Sequence, residues 1–156
     1  MSDGERRSEA CCFTGHRPDK LFRAEDIRLD LKEVVLNAVD TGFTTFISGM
    51  AKGVDVWAAE IVLEIRKDND NIKLICALPS QEWLQRCKCL CDKADAVVII
   101  GKGHHPGIYQ LRNQWMIDHS SRVIAVYNGQ LGGTKTLLIM QTELACLFIG
   151  LEGKSM

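Results

Sequence analysis

Tyr109 to Thr136 reads Y-Q-L-R-N-Q-W-M-I-D-H-S-S-R-V-I-A-V-Y-N-G-Q-L-G-G-T-K-T. A helix carrying Arg112, Asn113 and Asp118 leads into an apolar strand, Arg122 to Tyr127. A double-glycine loop follows, and a further helix is expected after it. Such a loop lets backbone N–H groups approach an anion at the positive end of a helix. Arg112 adds a forked cationic donor. The combination points to a phosphate-bearing small molecule, most simply a nucleotide.

Working outward, the same alternation recurs along the chain. Glu9 to Thr14, Phe43 to Ile47, Ile72 to Leu78 and Ala96 to Ile100 read as strands. Between them, Ile27, Leu31, Val34, Val35 and Ala38 make one apolar stripe, and Val54, Trp57, Ala58, Ile61, Val62 and Ile65 make another. Trp83, Leu84, Cys87 and Cys91 mark a third helix. Ile108 to His119 is a fourth, and an apolar run from about Thr134 to Phe148 is read as the last. Five strands joined by crossovers imply an α/β fold: a doubly wound, mainly parallel, Rossmann-like sheet with helices on both faces. It is expected as one domain over residues 1–156, with its core at about residues 9–149.

Glycine marks one edge of that sheet. Gly15, Gly49, Gly53, Gly101, Gly103, Gly107, Gly129, Gly132 and Gly133 all follow strand ends, which is nine of the 13 glycines. Open α/β sheets bind ligands at that edge. Turns need glycine in any case, but only Gly42 stands clearly at a helix-to-strand turn.

Composition narrows the function classes. The chain has 156 residues, 46% hydrophobic and 25% charged, with 19 basic and 20 acidic side chains. A net charge of −1 argues against a broad nucleic-acid footprint. Seven cysteines without a secretory signal or an apolar run of membrane length suggest a reduced, cytoplasmic protein with no membrane association. Cys87 and Cys91 share a helical face and read as buried thiols. His104 and His105 are adjacent, which suits a shared metal poorly, so no metal and no cofactor is expected.

Four candidate segments gather at the glycine-rich edge. Thr14-Gly15-His16-Arg17-Pro18 is a tight turn in which Arg17 either faces a phosphate or stands in solvent. Ser48-Gly49-Met50-Ala51-Lys52-Gly53-Val54-Asp55 offers N–H groups at a helix start, with Ser48 adding a hydroxyl and Asp55 suiting the helix dipole. Arg112 and Asn113, with Tyr109 and Asp118, are either site residues or a solvated helix face, while Trp115 and Met116 read as core. Gly132-Gly133-Thr134-Lys135-Thr136 is not a P-loop, and Gly101 to Gly107 is not a dinucleotide fingerprint.

F-T-G-H-R-P (Phe13 to Pro18), S-G-M-A-K-G-V-D (Ser48 to Asp55), Y-Q-L-R-N-Q-W-M-I-D-H-S (Tyr109 to Ser120) and G-G-T-K-T (Gly132 to Thr136) together resemble the YpsA-type proteins of the SLOG superfamily. The likeness runs from about Cys11 to Ala145. That superfamily also holds the LOG phosphoribohydrolases and the DNA-processing protein DprA. Ser48-Gly49 with Gly53 and Asp55 is similar to the DprA loop, and Arg112 with Met116 is similar to the catalytic-arginine helix of LOG enzymes. The resemblance implies a nucleotide or nucleotide-derived ligand at the strand ends. One departure stands out. LOG enzymes carry P-G-G-x-G-T-x-x-E, whose glutamate takes part in glycosidic-bond cleavage. Here Leu131 precedes the glycines, Leu137 and Leu138 follow, and the first glutamate is Glu143.

Three functions are therefore weighed. The first is a nucleotide-binding module acting as a sensor or regulatory module, which needs no catalytic carboxylate. The second is an N-glycosidase acting on nucleoside monophosphates, with Arg112 and one of Asp55, Glu60 or Asp118 in place of the missing glutamate. The third is DprA-like single-stranded nucleic-acid binding, which the net charge disfavours. The apolar last helix is also consistent with a homo-oligomer.

Overall fold

The computed structural model describes residues 8–15, 24–51, 53–101, 106–127 and 136–141. The elements follow in order as β1 (Ala10–Gly15), α1 (Ala24–Asp40), β2 (Thr45–Ser48), α2 (Val54–Arg66), β3 (Lys73–Leu78), α3 (Gln81–Arg86), α4 (Lys88–Cys91), β4 (Ala96–Ile99), α5 (Ile108–Asp118), β5 (Arg122–Tyr127) and β6 (Thr136–Gln141). They build a six-stranded sheet in the order β4-β3-β2-β1-β5-β6. The first five strands are mutually parallel.

The expected apolar stripes bury as the helical period requires. Leu31, Val35 and Ala38 of α1 and Val54, Ala58, Ile61, Val62 and Ile65 of α2 pack on Cys11, Phe13, Phe46, Leu74, Cys76 and Leu78. The strand period of two sends the intervening residues to the other face. There Ala10, Cys12, Ile47, Ala77 and Val123 meet Met116 and Ile117 of α5. The sheet is thus covered on both faces, in the α/β, Rossmann-like manner expected.

The chain steps outward from β1 to β4, then returns across the second face through α5 to place β5 on the other side of β1. The strand order reverses there, and the carboxyl ends of β1 and β5 lie side by side, with Gly15 opposite Val126. Gly101 sits at the carboxyl end of β4, where the Ile108 side chain occupies the space a Cβ would need.

Two expectations are corrected. The apolar run read as a final helix from Thr134 to Phe148 contains a strand instead. Residues 136–141 pair antiparallel with β5, from Tyr127↔Thr136 to Arg122↔Gln141, and make the sheet six-stranded rather than five. T-L-L-I-M-Q is almost uniformly apolar, so it shows neither a 3.6 nor a 2 period, and the unpaired edge of β5 decides. The third helix is also broken: α3 and α4 flank Cys87, whose ψ of 17° leaves helical geometry. Residues 142–156 lie outside the described residues. No helix among the described residues is long and apolar enough to cross a membrane.

Candidate functional site

The loop after β2 is built around two buried polar side chains, Ser48 and Asp55. Ser48 Oγ accepts from the Met50 N–H at 3.1 Å and donates to the Asp55 carbonyl oxygen at 2.8 Å. Those bonds hold Met50 at φ 58°, a left-handed conformation uncommon outside glycine. Gly53, with φ 102° and ψ −118°, then turns the chain into α2. Only glycine enters that region readily. Asp55, in the first turn of α2, receives the Ala51 N–H at 3.4 Å and a further backbone bond from Gly49. The helix start therefore already has its anion, and the loop's amides face partners of its own.

Arg112 reaches this loop from the opposite face of the sheet. It is 7% exposed, although it lies on a helix whose neighbouring Leu111 and Tyr109 are open to solvent. Nη1 donates to the Gly49 carbonyl oxygen at 3.1 Å, and Nε and Nη2 share the Asn113 Oδ1 at 3.3 and 3.1 Å. A Cβ on Gly49 would stand 2.9 Å from Arg112 Nε and 3.0 Å from Asp55 Oδ2, so glycine is required for this approach. Burial pushes the Asp55 carboxyl up to about 6, against the pull of Arg112 and the Ala51 and Gly49 amides. Burial also lowers Arg112 from its ordinary value, against the opposing attraction of Asp55. A carboxyl titrating near neutrality beside a buried guanidinium can hold, give or accept a proton.

On the β1 side, Thr14 and Asn113 line a small open depression floored by Cys12, Met116 and Val123. On the β3 side, Trp83 Nε1 donates to the Met50 carbonyl oxygen at 3.0 Å. Its ring meets Tyr109 edge-on at 6.0 Å, and Arg112 lies 5.6 Å from the Tyr109 ring centroid.

Of the residues singled out from sequence, Ser48, Gly49, Asp55, Arg112 and Asn113 come together, with Thr14 on the same depression as Asn113. Gly53 closes the loop. Glu60 instead pairs with Arg28 at 3.2 Å between α2 and α1, half exposed. Asp118 accepts from Gln114 at 2.8 Å near the far end of α5, where the chain returns to the start of β5. His16, Arg17, Lys52, Gly132, Gly133 and Thr134 lie outside the described residues. Because Thr136 begins a strand, the double-glycine segment does not open the long apolar helix expected from sequence. Trp83 was read only as a helix marker; its position four residues past Pro79, at the same edge as the glycines, was the available signal. Among the described residues no group of three His, Cys, Asp or Glu side chains could hold a metal ion. Cys91 is buried and Cys87 half-buried, both free thiols.

Parallel order, reversal beside β1 and polar groups gathered at the carboxyl edge define a Rossmann-like α/β domain. A family model described as the YspA SLOG family (YpsA) matches residues 11–145, and the chain belongs to that family. Among similar proteins, the SPbeta prophage-derived protein YoqJ of Bacillus subtilis (strain 168) is 32% identical over 135 residues, 70% of this chain and 79% of its own. A UPF0398 protein of Ligilactobacillus salivarius (strain UCC118) is 26% identical over 137 residues, 77% of this chain and 75% of its own. Another, from Bacillus cereus (strain B4264), is 28% identical over 143 residues, 81% and 78% of the two chains.

Proposed function

We propose that the protein binds a nucleotide or nucleotide-derived phosphate at the carboxyl ends of its parallel strands, as a sensor or regulatory module. The observation that carries this reading is Arg112: a guanidinium almost wholly buried at the ligand edge, held there by the Gly49 carbonyl and Asn113. Burying a charge is costly, and the fold maintains it where open α/β sheets take their ligands. Thr14 and Asn113 supply polar groups on the same side. Incubation with AMP, ADP, NAD and ADP-ribose should raise the melting temperature for at least one compound. No shift with any of them at millimolar concentration would overturn the reading.

One observation favours a second reading. Asp55 is buried beside Arg112 and pushed up to about 6. That is suited to general acid–base work at neutral pH. It could fill the role of the absent loop glutamate in an N-glycosidase acting on nucleoside monophosphates. Release of free base by the wild-type protein, abolished in Asp55→Asn, would establish it. Substrate recovered intact would exclude it while leaving binding in place.

A further inference from the structure

The carboxyl edge is divided by its strand order. Tyr109 and Trp83 stand on segments that follow β4 and β3, Arg112 reaches the loop after β2, and Thr14 is the penultimate residue of β1. We infer that the ligand lies along this edge with a planar ring stacked on Tyr109, whose own ring meets Trp83 edge-on, and its anionic end toward the Thr14–Asn113 depression beside β1. The inference rests on the nucleotide-binding reading above and narrows it: the ligand carries a base, not a sugar phosphate alone.

The aromatic pair is tied to the arginine by a continuous series of contacts. Arg112 Nη1 bonds the Gly49 carbonyl, and the next carbonyl, that of Met50, takes the Trp83 indole N–H at 3.0 Å. Trp83 meets Tyr109 at 6.0 Å with an interplanar angle of 78°, and Tyr109 returns to Arg112 at 5.6 Å. The indole is thus fixed by a hydrogen bond to the site's own loop. Each ring carries an arginine, Arg86 at 5.2 Å from Trp83 and Arg112 at 5.6 Å from Tyr109, and Tyr109 still leaves 41% of its surface exposed. A rigid aromatic face beside guanidinium groups is what a nucleobase stacks on, and the contact tolerates any base because every base has a π-face. A sugar phosphate has nothing to place there.

Calorimetric titration of the full chain with AMP and with ribose 5-phosphate tests this, in wild type, Tyr109→Leu and Tyr109→Phe. Wild type is expected to bind AMP about tenfold tighter than ribose 5-phosphate, the scale of one stacked base. Tyr109→Leu should lose that preference and keep its affinity for ribose 5-phosphate, and Tyr109→Phe should retain it. The melting temperature without ligand checks that Tyr109→Leu is folded. Equal affinities of wild type for the two probes, or wild-type AMP affinity in Tyr109→Leu, would overturn the ring site and leave the nucleotide-binding reading standing. No binding of either probe to wild type would overturn the ring site, and the nucleotide-binding reading falls with it if ADP, NAD and ADP-ribose also fail to bind.

Discussion

Arg112 Nη1 donates to the carbonyl oxygen of Gly49 across 3.1 Å and 63 residues of chain. The bond joins a helix on one face of the sheet to a loop leading into a helix on the other, so it fixes the rim that both faces share. Removing the guanidinium leaves Asp55 buried without its nearest opposing charge. Arg112→Ala should therefore cost about 3 kcal/mol in chemical denaturation. Arg112→Lys should recover only part of that, since an ammonium cannot span Gly49 and Asn113 as a planar fork does. A lysine variant as stable as wild type would show that charge alone suffices.

Gly49→Ala tests the close approach itself. The added Cβ would fall 2.9 Å from Arg112 Nε and 3.1 Å from its Cζ, with Asp55 Oδ2 at 3.0 Å. All three belong to buried groups with little room to withdraw. The expected loss is about 1–3 kcal/mol, typical of overpacking, together with weaker nucleotide binding. An alanine variant of unchanged stability would mean that the arginine is not held as described.

Asp55 gives the folding equilibrium a definite pH dependence. Burial lifts its carboxyl from 3.8 to about 6, so the folded chain keeps a proton that the unfolded chain has released. The associated stability is complete below about pH 4 and lost as pH rises through 6, about 3 kcal/mol in all. In urea titrations across that window Asp55→Asn should lack this slope. Parallel curves for variant and wild type would assign the slope to another group.

Asp95 should behave in the opposite sense. Burial works against its charge, but the Leu74 N–H at 2.8 Å and Arg66 at 2.7 Å outweigh it and hold the carboxyl below its ordinary range. Its contribution is present above the unfolded value and lost as pH falls through the folded one. Asp95→Ala should cost about 1 kcal/mol at pH 7 and leave nucleotide binding untouched, because Asp95 lies at the amino edge. A binding defect in this variant would show that the two edges are coupled.

The alternation of strands and helices was legible because burial enforces period. Arg122–Tyr127 has the bounds read from sequence, and the stripes of α1 and α2 face the core as spaced. The error came at residues 136–141, where every position is acceptable in either state and only the pairing with β5 decides. At the site, the clustering of Ser48, Gly49, Asp55 and Arg112 followed from their strand-end positions. What sequence could not supply was the direction of their hydrogen bonds. The loop's amides face Asp55 and Ser48, and Arg112 is buried because it bends over the sheet edge, a path no helical wheel contains. Trp83 was missed because an indole on an apolar helix face looks like core until its N–H is seen to have a partner.

The fit of Ile108 into the space beside Gly101 bears on how this protein can diversify. It is a mechanical joint: Gly101 and Ile108 anchor strand to helix from the two ends of the six residues that separate them. New sequences can be spliced into that connection while the helix behind it keeps its origin, and with it the aim of Tyr109 and Arg112.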